Sequence, residues 1–185
     1  MICGENMQEL KLEKGRPEDA GRLDKEIRCY DLLDSLGIEY MRVDHEAADN
    51  MEVCQAIDEV LGATICKNLF LCNRQQTVFY LLMIPDTKSF VTKDFSKALG
   101  ISRVSFAPAS FMEEYLDITP GSVSVLGLMN DRDHNVNLIV DREVLKGEYV
   151  GCHPCINTSS LRIKTDDMFT KIVPAMAHEM TVIDL

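Results

Sequence analysis

The chain has 185 residues, 46% of them hydrophobic and 26% charged, with a formal net charge of −11. That length fits one domain, for which about 150 residues is the usual prior, and the apolar share is enough to build a core. No apolar run approaches the ~20 residues that span a bilayer, the amino terminus lacks a basic leader followed by an apolar stretch, and the bulk negative field repels nucleic acid, so any RNA-binding role has to rest on a local patch.

Residues 1–22 are polar, include Gly15, Pro17 and Gly21, and read as a lead-in strap before a domain at 23–185. Leu23, Ile27, Tyr30, Leu33 and Leu36 then recur at helical spacing, and Gly37 follows as a stop. "IEYMRVDH" is a short alternating strand, and a second helix is predicted over Met51–Leu61, ending at Gly62. "KNLFLC" and "TVFYLLMI", joined by "NRQQ", form the clearest strand pair; apolar residues on both faces of the second place it centrally in a sheet covered on each side. Thr92 is placed as the cap of a short helix carrying Phe95 and Leu99 and closed by Gly100, and "APASFMEEYL" starts another with Pro108 in its first turn. After Gly121 the pattern returns to strands: "SVSVLGL", "VNLIVD", "EYVGC" and "LRIK". A last helix opens at Thr165 or Asp166 and runs through Met168, Phe169, Ile172 and Val173, before a final strand "TVIDL". The fold expected is α/β of the α+β type: a single domain with a mixed, largely antiparallel sheet and helices packed around it.

Four features carry possible chemistry. The first is "YVGCHPCINTSS", residues 149–160, where a histidine stands between Cys152 and Cys155. Structural zinc takes four ligands, usually from two such pairs, and no second pair exists here. A redox reading needs the first cysteine at the start of a helix, and Ile156-Asn157-Thr158 is no helix-forming run. The seven cysteines are odd in number and scattered, the pattern of reduced thiols in a cytosol. His153-Pro154 remains: Pro154 holds the residue before it extended, which either presents an imidazole to a cleft or makes a plain turn. The second feature is Lys67, beside Asn68 at the mouth of a buried strand, readable as a solvated strand end or as a fixed cation aimed at a carbonyl or phosphate oxygen. Third is "PGSVSVLG", Pro120–Gly127, which is too poor in glycine for a P-loop or dinucleotide fingerprint and lacks G-x-S-x-G spacing. It is either a turn into a strand or a loop whose backbone N–H groups receive an oxyanion. Last, His45-Glu46 and His178-Glu179 stand as isolated pairs, read as surface or hinge residues.

The order of these segments carries more than any one of them. "GRPEDAGRLDKEIRCYDLLDSLGIEYMRVDHEAA", "CKNLFL", "YLLMIPDTKSF", "PGSVSVLGLMND" and "VGCHPCINTSSLRI" together resemble the free-standing prolyl-tRNA editing proteins, the ProX/PrdX branch of the YbaK-like deacylase family, over about residues 14–185. The resemblance implies a YbaK-like editing domain in the cytoplasm that hydrolyses alanine wrongly esterified to proline tRNA. It implies no metal and no cofactor, tRNA as partner with prolyl-tRNA synthetase as a possible second, and neither DNA nor membrane. It gives Lys67 and His153 catalytic roles. Asn68, Gly121, Ser122, Val123, Ser124, Gly127 and Asn157 become substrate-binding residues, and Cys152 and Cys155 bystanders. Many family members carry proline where this chain has Val125, which bears on the rigidity of the loop. Two alternatives stay open: a deacylase for another small amino acid such as serine or cysteine, and a non-catalytic module that binds tRNA or a synthetase.

Overall fold

The computed structural model describes residues 9–47, 51–63 and 65–185, so Cys3 and the start of the lead-in lie outside the described residues. The strands are β1 (Leu12–Lys14), β2 (Tyr40–Asp44), β3 (Lys67–Asn73), β4 (Phe79–Ile84), β5 (Val104–Phe106), β6 (Val136–Asp141), β7 (Tyr149–Cys152), β8 (Ser159–Lys164) and β9 (Met180–Ile183). The helices are α1 (Asp24–Ser35), α2 (Met51–Leu61), α3 (Thr92–Leu99), α4 (Ala109–Leu116) and α5, a helical run over residues 165–175. In α5 the ladder widens to a π turn at Met168–Ile172, just before Pro174 withdraws an N–H from it.

The strands divide between two sheets rather than one. The order β1-β2-β8-β7 is antiparallel throughout, while β5-β3-β4-β6-β9 is mixed, with β4 parallel to β6 and β6 parallel to β9. A parallel bridge between Ile65 and Gly151 ties them, with the Cys66 N–H donating to the Gly151 carbonyl at 3.3 Å. Strand β4 is central, as its double-sided apolar pattern requires. Phe79, Leu81 and Met83 face the main core, and Leu82 and Ile84 face a second cluster under α3 built with Leu71, Phe95, Val104, Ile139 and Ile183.

Helix α1 buries Glu26, Cys29, Tyr30 and Leu33, an i, i+3, i+4, i+7 stripe. The buried carboxylate of Glu26 is satisfied by Arg22 Nη1 at 2.5 Å and the Tyr30 hydroxyl at 3.0 Å. Gly37, with φ +66°, ends the helix where the sequence predicts.

Several expectations change. "SVSVLGL" is not a strand: a turn leads into a short 3-10 helix at Val125–Asn130. The Ser122 hydroxyl and N–H both donate to the Thr119 carbonyl, and Ser124 Oγ accepts from Leu126 N–H, local bonds that compete with a sheet ladder. Thr92 does not cap α3; Val91 holds that position without a side-chain bond and Thr92 is the first helical residue. Strands β1 and β5 are three residues each, too short to leave an alternating signature. The described part of the lead-in joins the first sheet through β1.

Candidate active site

The bridge between Ile65 and Gly151 decides the geometry of the site. It lays the start of β3 beside the end of β7, so that Lys67, the first residue of one, and His153, just past the other, open onto the same cleft. That cleft has a volume of about 500 Å³, and its walls also include Gly121 and Asn157. Four residues singled out in the sequence, drawn from three separate segments, therefore share one cavity.

Each is held differently. Lys67 is exposed and its Nζ donates to the Lys88 carbonyl at 3.0 Å, which keeps the ammonium at the cleft mouth. His153 is half-buried, and its Nδ1 lies 2.9 Å from the Ser159 carbonyl. A carbonyl only accepts, so Nδ1 carries the proton, and the Nε2 lone pair has no protein partner among the described residues. Burial keeps the His153 pKa below its ordinary value; the Ser159 carbonyl acts the other way, and His45 adds to the lowering. Gly121 adopts φ +92°, a left-handed conformation, and a β-carbon there would approach Asn157 Nδ2 at 3.9 Å.

The rest of the predicted set lies elsewhere. Asn68 is outside the cleft lining, its Nδ2 donating to the Cys66 carbonyl at 3.0 Å and its buried Oδ1 without a hydrogen bond. Ser122 is buried and lines a neighbouring cavity of about 240 Å³ with Thr119, Asn157 and Thr158. Its N–H is committed to Thr119, which removes it as an oxyanion donor. Val123 packs against the core, and Ser124 is fully buried as the cap of the 3-10 helix. Gly127 serves packing: a β-carbon there would stand 2.5 Å from Ile118 Cδ1. Val125, where many relatives in the resembling family carry proline, starts the 3-10 helix and is wholly buried. Its side chain is fixed by the core at a position that also tolerates proline.

Cys152 and Cys155 are buried in the main core, with Cys155 Sγ 3.5 Å from Cys29 Sγ. Burial pushes the Cys152 and Cys29 thiols well above their ordinary values, away from the thiolate that a metal ligand or nucleophile needs.

The sequence reading missed several cleft residues. His45 is not a surface residue: it is 5% exposed, lines the cleft, and faces His153 with ring centroids 6.4 Å apart. Its position mirrors that of His153, since each follows the last residue of a strand in the first sheet, and that parallel was the available signal. His178 is likewise buried, with Nε2 3.1 Å from Asp131. Cys54, Ile57 and Asp58 of α2, Ile65 and Cys66 before β3, and Asp86 after β4 complete the wall. Burial pushes the Asp58 carboxyl above its usual range, against the hydrogen bond from the Ile65 N–H, and the charge of Asp86 adds to the rise. Among the described residues no group of three His, Cys, Asp or Glu side chains is placed to hold a metal ion.

A family model described as "Aminoacyl-tRNA editing domain" matches residues 45–171, a span that contains His45, Lys67, Gly121, His153 and Asn157. The chain is 29% identical over 153 residues to the prolyl-tRNA editing protein ProX of Acetoanaerobium sticklandii, covering 83% of this chain and 93% of that one. It is 27% identical over 140 residues to prolyl-tRNA synthetase associated domain-containing protein 1 of Danio rerio, covering 75% and 76%. Among solved structures, a candidate trans-editing enzyme for prolyl-tRNA synthetase superposes with a TM-score of 0.64 at 12% identity over 89% of this chain and 99% of that one. Hypothetical protein APE2540 superposes with a TM-score of 0.61 at 17% identity, covering 85% and 98%.

Proposed function

Because the chain belongs to the aminoacyl-tRNA editing domain family, with the hydrolytic deacylase activity that membership carries, we propose that its substrate is proline tRNA mischarged with alanine. The observation that carries this reading is the single cleft that gathers Lys67, Gly121, His153 and Asn157 within the matched span.

An aminoacyl ester is already activated, so its hydrolysis needs no strong nucleophile. It needs an ordered water, a place for the developing oxyanion, and a wall that rejects the correct amino acid. The Lys67 ammonium stabilises charge on the ester, and the Gly121 backbone lines the same cleft. The Nε2 lone pair of His153 accepts a hydrogen bond from water or from a ribose hydroxyl, and its depressed pKa keeps that acceptor unprotonated at neutral pH. Asn157 lines the cleft next to Gly121, its Nδ2 within 3.9 Å of where a β-carbon on that glycine would stand. Asp58 and Asp86 supply carboxyl groups suited to the α-ammonium of an aminoacyl group.

Selectivity follows from size. Ile57 and Ile65 give the cleft an apolar wall beside these polar groups. A synthetase pocket shaped for proline cannot strongly exclude alanine, because each missing methylene costs only about 1–3 kcal/mol. A second pocket that fits a methyl group and overpacks around a pyrrolidine ring supplies the missing discrimination. The name of the Danio rerio relative supports prolyl-tRNA synthetase as a partner, and a tRNA substrate is in keeping with work in the cytoplasm.

The test is a deacylation assay with alanyl, seryl, cysteinyl and prolyl esters of one proline tRNA. Alanyl ester hydrolysed while prolyl ester survives is the expected result. Preference for the seryl or cysteinyl ester would reassign the amino acid, and tRNA or synthetase binding without turnover of any ester would make the chain a non-catalytic module.

A further inference from the structure

We infer that His45 is a positioning residue for His153: through the Ser160 hydroxyl it sets a second acceptor beside the Ser159 carbonyl and holds the ring orientation that presents His153 Nε2 to the cleft. This rests on the catalytic reading of His153 given above.

The hydrogen bonds form one directed chain. His45 Nδ1 lies 2.7 Å from the Glu46 carbonyl, an acceptor, so that nitrogen carries the proton. In the neutral ring Nε2 is then an acceptor, and it lies 2.8 Å from Ser160 Oγ. The hydroxyl of Ser160 donates to His45, which turns its lone pairs toward His153 Nδ1 at 3.5 Å, alongside the closer Ser159 carbonyl. Two acceptors, Ser159 O and Ser160 Oγ, thus face His153 Nδ1, and among the described residues no donor does. The opposite tautomer would place a lone pair against both.

The fold supplies the rigidity. Ser160 is fully buried in β8, paired with Val43 of β2, and the His45 N–H donates to the Thr158 carbonyl at 3.0 Å. The two imidazoles therefore sit at the same end of one sheet, each just past the last residue of a strand.

Protonation of His45 reverses the chain. Nε2–H would then donate to Ser160, and the hydroxyl proton would be driven toward His153 Nδ1–H. A cation would also stand beside the His153 ring. The charged and titratable groups around the pair are Asp44 and Glu46 on the His45 side, and Lys67, Asp58, Asp86, Cys54 and Cys66 across the cleft. Burial lowers the His45 pKa below its ordinary value; the Glu46 carbonyl and the Asp44 charge act the other way. The neutral, acceptor form of His45 is therefore the working form at neutral pH.

The test combines a measurement without substrate and one with it. Long-range proton–nitrogen NMR spectra should show His153 in the Nδ1–H tautomer in the wild type and in both His45→Ala and Ser160→Ala, held by the Ser159 carbonyl, while the His153 ring signals broaden and shift in the two variants as the ring loses its second acceptor. Single-turnover deacylation of the alanyl ester should fall about 10- to 100-fold in both variants, as for other partners that orient a functional histidine. KM should change little, and the double variant should be no worse than either single one. His45→Gln offers a carbonyl oxygen near the position of Nε2 without titrating. It should recover most of the rate and shift the acid limb of the kcat profile, a result that lost packing alone would not produce. Should His45→Ala fail to fold, Ser160→Ala and His45→Gln carry the comparison. Unchanged His153 ring signals in Ser160→Ala, or equal rates in His45→Gln and His45→Ala, would overturn the inference. A wild type that hydrolyses no ester yet shows the predicted tautomers would instead overturn the catalytic reading and leave the hydrogen-bonded chain standing.

Discussion

Replacing Lys67 by Met keeps most of the aliphatic stem and removes the charge, so it separates catalysis from folding. A unit charge 4 Å from a developing oxyanion is worth about 4 kcal/mol at an effective dielectric constant of 20. Measured losses for single oxyanion donors run from about 2.7 to 4 kcal/mol. Lys67 is exposed, so water screens it and the lower end applies, about 3 kcal/mol. At 1.36 kcal/mol per decade, that is a fall in kcat of roughly 150-fold. The folding cost is far smaller, because the ammonium makes one hydrogen bond, to the Lys88 carbonyl, at the surface. Its loss is worth about 1 kcal/mol at most, or a Tm shift of about 2–4 °C for a chain of this size. Single-turnover deacylation of alanyl-tRNA, read beside urea unfolding of the same preparation, measures both quantities. A Lys67→Met protein that turns over within about threefold of wild type would remove the ammonium from the reaction. A rate loss that tracks a loss of folded protein would reassign it to stability.

His45 and His153 both have folded-state pKa values depressed below 6.5 by burial, so their contribution to stability is present above that value and is lost as pH falls through the folded ones. Urea unfolding at pH 5 should therefore give a lower free energy than at pH 7.5, with a smaller drop in His45→Gln; an equal drop in that variant would refute the assignment to His45. Gly127→Ala should destabilise by about 1–3 kcal/mol, since its β-carbon meets Ile118 Cδ1 at 2.5 Å and the Leu116 carbonyl oxygen at 3.2 Å; unchanged denaturant midpoints would show that the 3-10 helix can shift. Replacing Cys152 and Cys155 together by Ala should leave activity per folded molecule intact, and Ser is the harsher change, because a hydroxyl buried without a partner costs about 1–3 kcal/mol. Loss of activity in a stably folded double-Ala protein would make those thiols part of the site.

Local structure is legible in the amino-acid order. Helical periodicity from Ile27 to Leu33 and the glycines at 37 and 100 set α1 and the end of α3, and the double-sided apolar pattern of "TVFYLLMI" made β4 central. His153-Pro154 at a strand end and Lys67 at a strand start were visible as candidates because local backbone constraints act within a few residues. Tertiary structure alone decided which of these meet. The bridge from Ile65 to Gly151, far apart in sequence, ties the two sheets together and brings Lys67 and His153 to one cleft. It also excludes Asn68, because adjacent strand residues face opposite sides. The "SVSVLGL" segment has a strand composition, but hydroxyl-to-backbone bonds at Ser122 and Ser124 turn it into a short 3-10 helix instead. His45 was illegible for the same reason: a histidine followed by glutamate reads as surface until β8 sets a buried serine 2.8 Å from its ring. Patterning fixes which face of an element is apolar, whereas the partner of a polar side chain depends on long-range strand pairing, which no local window contains.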